Sequence, residues 1–325
     1  FENSRWAVDR ERLKKIGALP SIVDVILRRT RLLNSQELET LIRAAFIGRE
    51  FDLALLMRVV DLDAAEIIQI VDRATELQFL EQKVSEKGKA GFVHDRIREA
   101  FYTQICGEEA VRALHLRIAE AMEQLYSTMV DQQIFDLAYH FDKAGDAERA
   151  IAYLIPAGYK AMQQHALSDA VKYFLRVTEL FESRQSRIFN QDYYKAREEL
   201  ATLYLMTGSY DKAVNLLTTI QQNSTEVMTE AWARSQLSEL CYRRGDWEGC
   251  EMHASTGLKL LGHGIASGKS GVVFSTLREI VFYLVLMPFR FRRRNKNADR
   301  KRLIFTLHEV LGKTYMLNKP ARLVY

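Results

Sequence analysis

The first part of the chain with a clear hydrophobic pattern carries apolar positions at helical spacing in successive short segments. Asn34 can cap a helix together with Glu37, and apolar side chains follow every three or four residues. A second, shorter helix is predicted to carry Phe51, Leu53, Leu55 and Leu56. Asp63, with Glu66 three residues on, then predicts the start of a third helix with one apolar face.

After the third helix the period of the pattern changes from helical to alternating. Residues 79–84 alternate between apolar and polar side chains, which predicts a strand. Residues 85–89 form a polar turn, and residues 91–93 return as a second strand. Three helices followed by a β-hairpin is the plan of a winged helix, so we assign residues 33–106 to a winged-helix domain with a small β-hairpin wing.

From residue 107 to residue 325 the pattern predicts helix after helix, with a short motif that recurs. Each copy places a glycine or small residue at a helix end, then a capping residue, then a small residue where two helices approach closely. The copies are 144–150, 207–213 and 244–250, with 165–170 as a degenerate fourth. The step from Gly208 to Gly245 is close to the roughly 34 residues of a tetratricopeptide (TPR) unit. We therefore predict a TPR-like α-superhelical array, whose concave surface suits binding.

Composition agrees with a mainly α protein of more than one unit. The chain has 325 residues but only 4 prolines and 16 glycines, and so few breakers favour helices. Residues 1–32 are interpreted as a helical connector. Because the chain opens at Phe1 without an initiator Met and stops inside a repeat at Tyr325, we expect it to be a piece of a longer polypeptide.

Charge, cysteine content and hydropathy indicate a cytoplasmic protein. The 46 basic and 42 acidic residues leave a net charge of +4, too small to imply a nucleic-acid partner. The 3 cysteines have no CxxC spacing and are typical of free thiols in a reducing compartment. The apolar run 280–289 is about half the length that spans a bilayer, so a buried helix is predicted there and no transmembrane segment.

Residues 91–102 read Gly-Phe-Val-His-Asp-Arg-Ile-Arg-Glu-Ala-Phe-Tyr. They resemble the F-x-H-D-x-x-R-E-A-x-Y signature that follows the winged helix of predicted bacterial STAND signalling ATPases. Those modules accompany serine/threonine kinase, histidine kinase, adenylate cyclase or LuxR-type output domains. Supporting stretches are residues 19–23, 44–52, 114–119 and 137–146.

The resemblance implies a regulatory switch. In that family a P-loop ATPase core lies upstream, the winged helix closes over the nucleotide, and the helical array senses a ligand. ATP or ADP with Mg would then belong to the parent protein. This chain itself carries no P-loop, no catalytic constellation and no cofactor or metal motif, so we do not expect it to be an enzyme. The implied partners are the ATPase core in cis and a protein or small-molecule activator on the array.

The candidate nucleotide-sensing residues are His94 and Asp95. Residues 93–95, Val-His-Asp, are similar to the M-H-D triplet of apoptotic and plant-immunity switches, whose His contacts the β-phosphate of ADP; Val93 departs from it. Asp95 is predicted to cap a helix that begins at Arg96, which places His94 beside a helix N-terminus that favours an anion. Arg96 and Arg98 are possible supporting residues, or surface partners of Glu99. The alternative is that His94 merely pins the wing to the next helix.

Two further features bear on nucleic-acid binding. The third helix of the winged-helix domain carries more acidic than basic residues, the wrong sign for a major groove, so direct DNA binding is not expected. The strongest basic cluster comprises Arg290, Arg292, Arg293, Arg294, Lys296, Arg300, Lys301 and Arg302. It can contact nucleic acid, an acidic lipid surface or a phosphorylated partner, but a solvated loop between two helices is the preferred interpretation.

The sequence therefore predicts the regulatory and sensor part of a nucleotide-switch signalling ATPase. Two alternatives stay open. One is a TPR-like interaction scaffold without nucleotide dependence, and the other is the regulatory part of a LuxR-type transcription factor. The nucleotide switch requires a strand, a GxxxxGK[ST] loop and a helix upstream of residue 1, whereas the scaffold does not.

Overall fold

The computed structural model describes residues 29–82, 88–183, 191–224, 226–263 and 298–318. Helices and strands are numbered in chain order within these ranges. Contacts divide the chain into two compact units, Phe1–Ala157 and Gly158–Tyr325. The predicted domain boundary after residue 106 stays a prediction, and helices on both sides of it belong to the first unit.

The first unit combines short helices with a small sheet. Its elements are α1 Ser35–Ile47, β1 Glu50–Asp52, α2 Leu53–Val60, α3 Ala64–Glu76, β2 Leu80–Gln82, β3 Lys89–Phe92, α4 Asp95–Tyr102, α5 Glu108–Leu125, α6 Ile134–Ala144 and the first part of α7 Ala147–Gln163.

Both predicted capping boxes are confirmed. The Asn34 side chain accepts a hydrogen bond from the Glu37 amide at 2.8 Å, and the Glu37 carboxylate accepts from the Asn34 amide at 2.8 Å. Asp63 and Glu66 make the same reciprocal pair, at 2.9 and 3.0 Å, at the start of α3. Because each box satisfies amides that have no partner inside the helix, the sequence fixes where α1 and α3 begin.

The three strands form one antiparallel sheet in the order β1-β3-β2, so the hairpin strand β3 lies in the middle. The second predicted helix is confirmed for Leu53, Leu55 and Leu56, but its inclusion of Phe51 is wrong. Phe51 lies in β1, paired with Ala90, and its ring packs 5.9 Å from that of Phe92. The helix α2 starts only at Leu53, because the Asp52 carboxylate caps it by accepting from the Ala54 amide at 2.8 Å.

One apolar core holds the sheet and the helices around it. The rings of Phe79, Phe92 and Phe101 are almost fully buried there, with Phe101 edge-on to Phe79 at 5.3 Å. Phe101 belongs to α4, so this helix is fixed directly against the sheet. Burial of aromatic surface on this scale is the main force that positions an eight-residue helix, which would be unstable alone.

The second unit is entirely helical within its described residues. Its elements are the end of α7, α8 Leu167–Glu182, α9 Gln191–Met206, α10 Tyr210–Asn223, α11 Val227–Arg244, α12 Trp247–Leu260 and α13 Ala298–Asn318. Consecutive helices pack on each other, and α13 packs on both α11 and α12.

The repeated motif forms the same turn in each copy. Gly145, His165, Gly208 and Gly245 all have positive φ, between 58° and 79°. In each turn the next amide donates back to a carbonyl five residues earlier, at 2.8 to 3.2 Å, which is the Schellman pattern.

The small residue of each copy is buried, as predicted. Ala150, Ala170, Ala213 and Cys250 are each 0% exposed. A larger side chain at these positions would push neighbouring helices apart. The fold is therefore mostly helical with a small three-stranded sheet, and its helical part is consistent with a TPR-like array.

Candidate functional site

His94, the predicted nucleotide-sensing residue, lies between the end of β3 and the start of α4. Its imidazole is exposed, its backbone is extended (φ −142°, ψ 147°), and it occupies the N-cap position of α4. The sequence placed the cap at Asp95, and this assignment is wrong by one residue. The carbonyl of His94 already accepts helical hydrogen bonds from Ile97 at 2.9 Å and Arg98 at 3.3 Å, so the helix begins at Asp95.

Asp95 therefore stands in the first turn of α4 rather than at its cap. A carboxylate in this position is favoured by the partial positive charge of the helix N-terminus. Its Oδ1 lies 3.6 Å from Nε of Arg49, and both side chains are more than half exposed. An anion approaching His94 would meet this ion pair as well as the imidazole.

The two possible supporting arginines point to different places. Arg96 pairs with Glu99 at 2.9 Å on the surface, as the surface-pairing alternative predicts. Arg98 turns instead toward α1 and donates to the carbonyl of Ala45 at 3.3 Å. Only His94, Asp95 and Arg96 therefore share an exposed edge, while Arg98 helps to join α4 to the C-terminal end of α1.

The basic cluster is described only in part. Arg300, Lys301 and Arg302 lie in the first turns of α13, so the interpretation of these residues as part of a loop is wrong. Arg300 donates to the carbonyl of Leu261 at 2.6 Å, where it satisfies an acceptor near the end of α12. Arg290, Arg292, Arg293, Arg294 and Lys296 lie outside the described residues, as does the apolar run 280–289.

Sequence reasoning missed a buried histidine pair in the first unit. His115 of α5 and His140 of α6 are 0% and 1% exposed, and their Nδ1 atoms lie 2.9 Å apart. The rings of Phe46 and Tyr139 stand edge-on to His115 at 5.3 and 5.6 Å. The pair thus lies where α5 and α6 meet the C-terminal end of α1.

The hydrogen bonds of the pair assign its protons. His140 also hydrogen-bonds the main chain of Ile47. Since its Nδ1 faces His115, the donor to the Ile47 carbonyl is Nε2, which leaves Nδ1 as the acceptor of a neutral ring. His115 must then donate from Nδ1, and its Nε2, which is buried without a partner, carries no proton.

Burial keeps both rings neutral. Desolvation, followed by the neighbouring His115, lowers the pKa of His140 to about 3, against the opposing effect of the Ile47 hydrogen bond. Desolvation also lowers the pKa of His115 to about 4, with a contribution from Lys143. Two cationic rings at this distance would repel each other, and even one charged ring would be poorly solvated there, so protonation of the pair destabilises this junction.

A sequence signal for the pair exists, although it is weak. His115 follows the buried Leu114 and precedes the buried Ile118 by one helical turn, and His140 lies beside the buried Phe141 in the same way. A histidine on an apolar helix face is a candidate core residue. The pairing of two such faces depends on tertiary contacts that helical periodicity does not contain.

The third helix of the winged-helix assignment, α3, carries exposed acidic side chains, and the absence of DNA binding stays a prediction. Asp72 and Glu76 are exposed on this helix, and the one basic residue among them, Arg73, is paired with Glu76 at 3.0 Å. In the described part of the chain no three His, Cys, Asp or Glu residues are placed to hold a metal ion. None of the described helices is both long and apolar enough to cross a membrane.

No protein-family model and no curated protein sequence matches the chain. Among solved structures it is similar to a Signal Transduction ATPase with Numerous Domains (STAND) protein with a tetratricopeptide repeat sensor from Pyrococcus horikoshii. The two share 14% identity with a TM-score of 0.45, over 94% of this chain and 42% of that one. This chain thus spans less than half the length of that protein.

Proposed function

We propose that this chain is the regulatory part of a STAND-type signalling ATPase, with a winged-helix lid over residues 33–106 and a TPR-like sensor after it. The order helix, strand, helix, helix and hairpin over α1 to β3 supports the winged-helix assignment. The lid would close over a nucleotide held by an ATPase core upstream of this chain. ATP or ADP and its Mg²⁺ would be bound mainly by that core.

The observation that carries the proposal is the exposed imidazole of His94 at the N-terminus of α4. The resemblance of residues 91–102 to the family signature gives this histidine the role of touching the β-phosphate of ADP. The first amides of α4 have no partner inside the helix, and they favour an anion in front of them. His94 is therefore well placed to donate one hydrogen bond to a phosphate brought by another domain.

The attachment of α4 explains how such a contact would be transmitted. One side of α4 packs on the sheet through Phe101, while Arg98 reaches the carbonyl of Ala45 in α1. Tyr102 stacks on Phe46 with ring centroids 4.1 Å apart and hydrogen-bonds Tyr139 of α6. A movement of α4 would thus be passed to α1 and α6 through direct contacts, as a two-state regulator requires.

The helical array is proposed to bind the activating protein. Large apolar side chains are exposed on the second unit, where a bound protein would cover them. They are Tyr159, Leu175, Met206, Tyr210, Val227, Met252, Phe305, Met316 and Leu317.

The test is a His94→Ala substitution in the full-length parent protein. Loss of the phosphate contact should speed ADP release, measured with a fluorescent ADP analogue, and raise basal output. The matched control is His165→Asn, which changes an exposed histidine elsewhere while keeping a residue that tolerates the φ of 58°. Unchanged ADP release and output in His94→Ala would instead favour a scaffold that does not depend on nucleotide.

A further inference from the structure

An open groove lies between α1 and α5 in the first unit. It has a volume of about 520 Å³, and its walls are mostly apolar. Its lining residues are Ser35, Leu38, Glu39, Ile42 and Arg43 of α1, Ala110, Ala113, Leu114 and Arg117 of α5, and Ile105 before α5. None of these residues belongs to the edge around His94.

The spacing of the lining residues shows what shape the groove accepts. Leu38 and Ile42 are one helical turn apart on α1, and Ala110, Ala113 and Arg117 lie on successive turns of α5. The two alanines are exposed, and their small side chains give the groove its depth. The row on α5 is roughly 10 Å long and the pair on α1 roughly 6 Å, which matches the apolar stripe of an added helix over one to two turns.

The groove carries one cation that is not neutralised. Arg43 is held by Glu39 on its own helix and by the carbonyl of Val59 at 3.1 Å. Arg117 is exposed, and within the described residues it makes no hydrogen bond or ion pair. The occupant that complements this surface has an apolar stripe flanked by a carboxylate.

We propose that this groove binds an amphipathic, acidic helix of a partner protein. Its apolar side chains would cover Leu38, Ile42 and Leu114, and a Glu or Asp would pair with Arg117. The exposure of both alanines argues for a helix rather than a small ligand, since small-molecule sites enclose most of the surface of their ligand. This inference does not depend on the nucleotide switch, because it uses neither His94 nor the array.

Binding would couple the two sides of the groove. The C-terminal end of α1 is also the place where Arg98 and His140 reach the carbonyls of Ala45 and Ile47. A helix in the groove would bridge α1 and α5 directly beside that junction, since Leu114 adjoins His115 and Ile42 lies three residues before Ala45. The bound partner would therefore stabilise one arrangement of α1 against α5.

The probe is a pair of designed helical peptides of about 18 residues, roughly five turns. Each has a Leu/Ala stripe, flanked by glutamates in one peptide and by lysines in the other. Fluorescence anisotropy with the intact chain should show tighter binding of the glutamate peptide. Arg117→Glu should weaken that binding roughly tenfold and improve binding of the lysine peptide, because the charge contact is reversed. A nitroxide on the exposed Cys106, next to Ile105, should broaden NMR signals of the bound peptide.

Two further variants separate the groove from general electrostatics. Arg112→Glu makes the same charge change on α5, at an exposed residue that pairs with Glu108 and does not line the groove. It should leave the peptide preference unchanged. Ala113→Trp should fill the groove and abolish binding while circular dichroism stays native. The proposal is overturned if neither peptide binds, if Arg117→Glu and Arg112→Glu act equally, or if only a fatty acid such as dodecanoate binds.

Discussion

Nδ1 of His115 donates a hydrogen bond to Nδ1 of His140 across 2.9 Å in the interior of the first unit. The ring that accepts must be neutral, because its Nδ1 must be unprotonated. Burial disfavours a charge on the other ring as well. The pair joins α5 to α6, and the second nitrogen of His140 joins α6 to the last carbonyl of α1. The packing of α5 and α6 on α1 should therefore depend on pH.

The first unit should lose stability as the pH falls below 6.5. The pKa of each ring lies far below the usual histidine value of 6.5, at about 4 for His115 and about 3 for His140. As the pH falls, these histidines are protonated in the unfolded chain before they are protonated in the folded one. At pH 5.5 this lowers the free energy of unfolding by about 1.4 kcal/mol for each histidine. Urea unfolding followed by far-UV circular dichroism between pH 7.5 and 5 measures the loss.

A matched variant isolates the pair. His140→Gln cannot be protonated, but its amide can still donate to the carbonyl of Ile47, so the loss of stability at pH 5.5 should shrink by about 1.4 kcal/mol, the contribution of this ring. The control His165→Asn removes an exposed histidine and should leave the curve unchanged. Parallel curves for the wild type and His140→Gln would refute the assignment of the acid effect to this junction.

Replacing glycine by alanine should change the stability in opposite directions at Gly245 and at Gly312. Gly245 has φ 74° in the turn between α11 and α12, so Gly245→Ala should cost about 1–2 kcal/mol of stability from backbone strain alone. Gly312 lies inside α13, and an added Cβ would meet nothing within 4 Å. Gly312→Ala should therefore stabilise by about 0.5–1 kcal/mol. The fluorescence of Trp247 and Trp232 during urea unfolding reports both changes, and equal signs would contradict the turn geometry.

Local chemistry explains which parts of the fold were predictable. Asn34 with Glu37, and Asp63 with Glu66, place the starts of α1 and α3 correctly, because a capping box is complete within four residues. The turn glycines and the small residues that follow them were also found, since both requirements are local. The hairpin was found from its alternation.

The errors and omissions concern contacts between distant segments. Phe51 was assigned to a helix because β1 has only three residues, and it is a strand only through its pairing with β3. The N-cap of α4 was predicted at Asp95 but lies at His94, because neither residue type by itself decides where the helix begins. The His115–His140 pair needs two helices to meet, and the partners are 25 residues apart. Helical periodicity predicts which face of each helix is buried, but it does not predict which other helix packs against that face.

A close approach of helices predicts a third effect at Gly158. A Cβ at this position would lie 2.8 Å from two ring atoms of Phe174 in α8. Gly158→Ala should therefore destabilise by about 1–3 kcal/mol, although alanine is the better helix former. Phe174→Leu removes the clashing ring edge and should recover part of the loss in the double variant. Additive losses in the thermal unfolding of the double variant would show that the two residues do not touch.

The three cysteines should differ strongly in their reactivity toward a thiol reagent. Cys106 is exposed, and Cys250 is fully buried, with its Sγ 2.8 Å from the hydroxyl of Thr314. Burial, followed by the charge of Asp246, raises the pKa of Cys241 to about 11, so at pH 8 very little of it is thiolate. Iodoacetamide should therefore modify one equivalent quickly at pH 8, and peptide mass spectrometry should place it at Cys106.

Two variants test this assignment. Cys106→Ser should remove the fast phase. Asp246→Asn should speed the modification of Cys241, because it removes the nearby negative charge. Fast modification of Cys250 in the folded protein would mean that α12 and α13 do not enclose it.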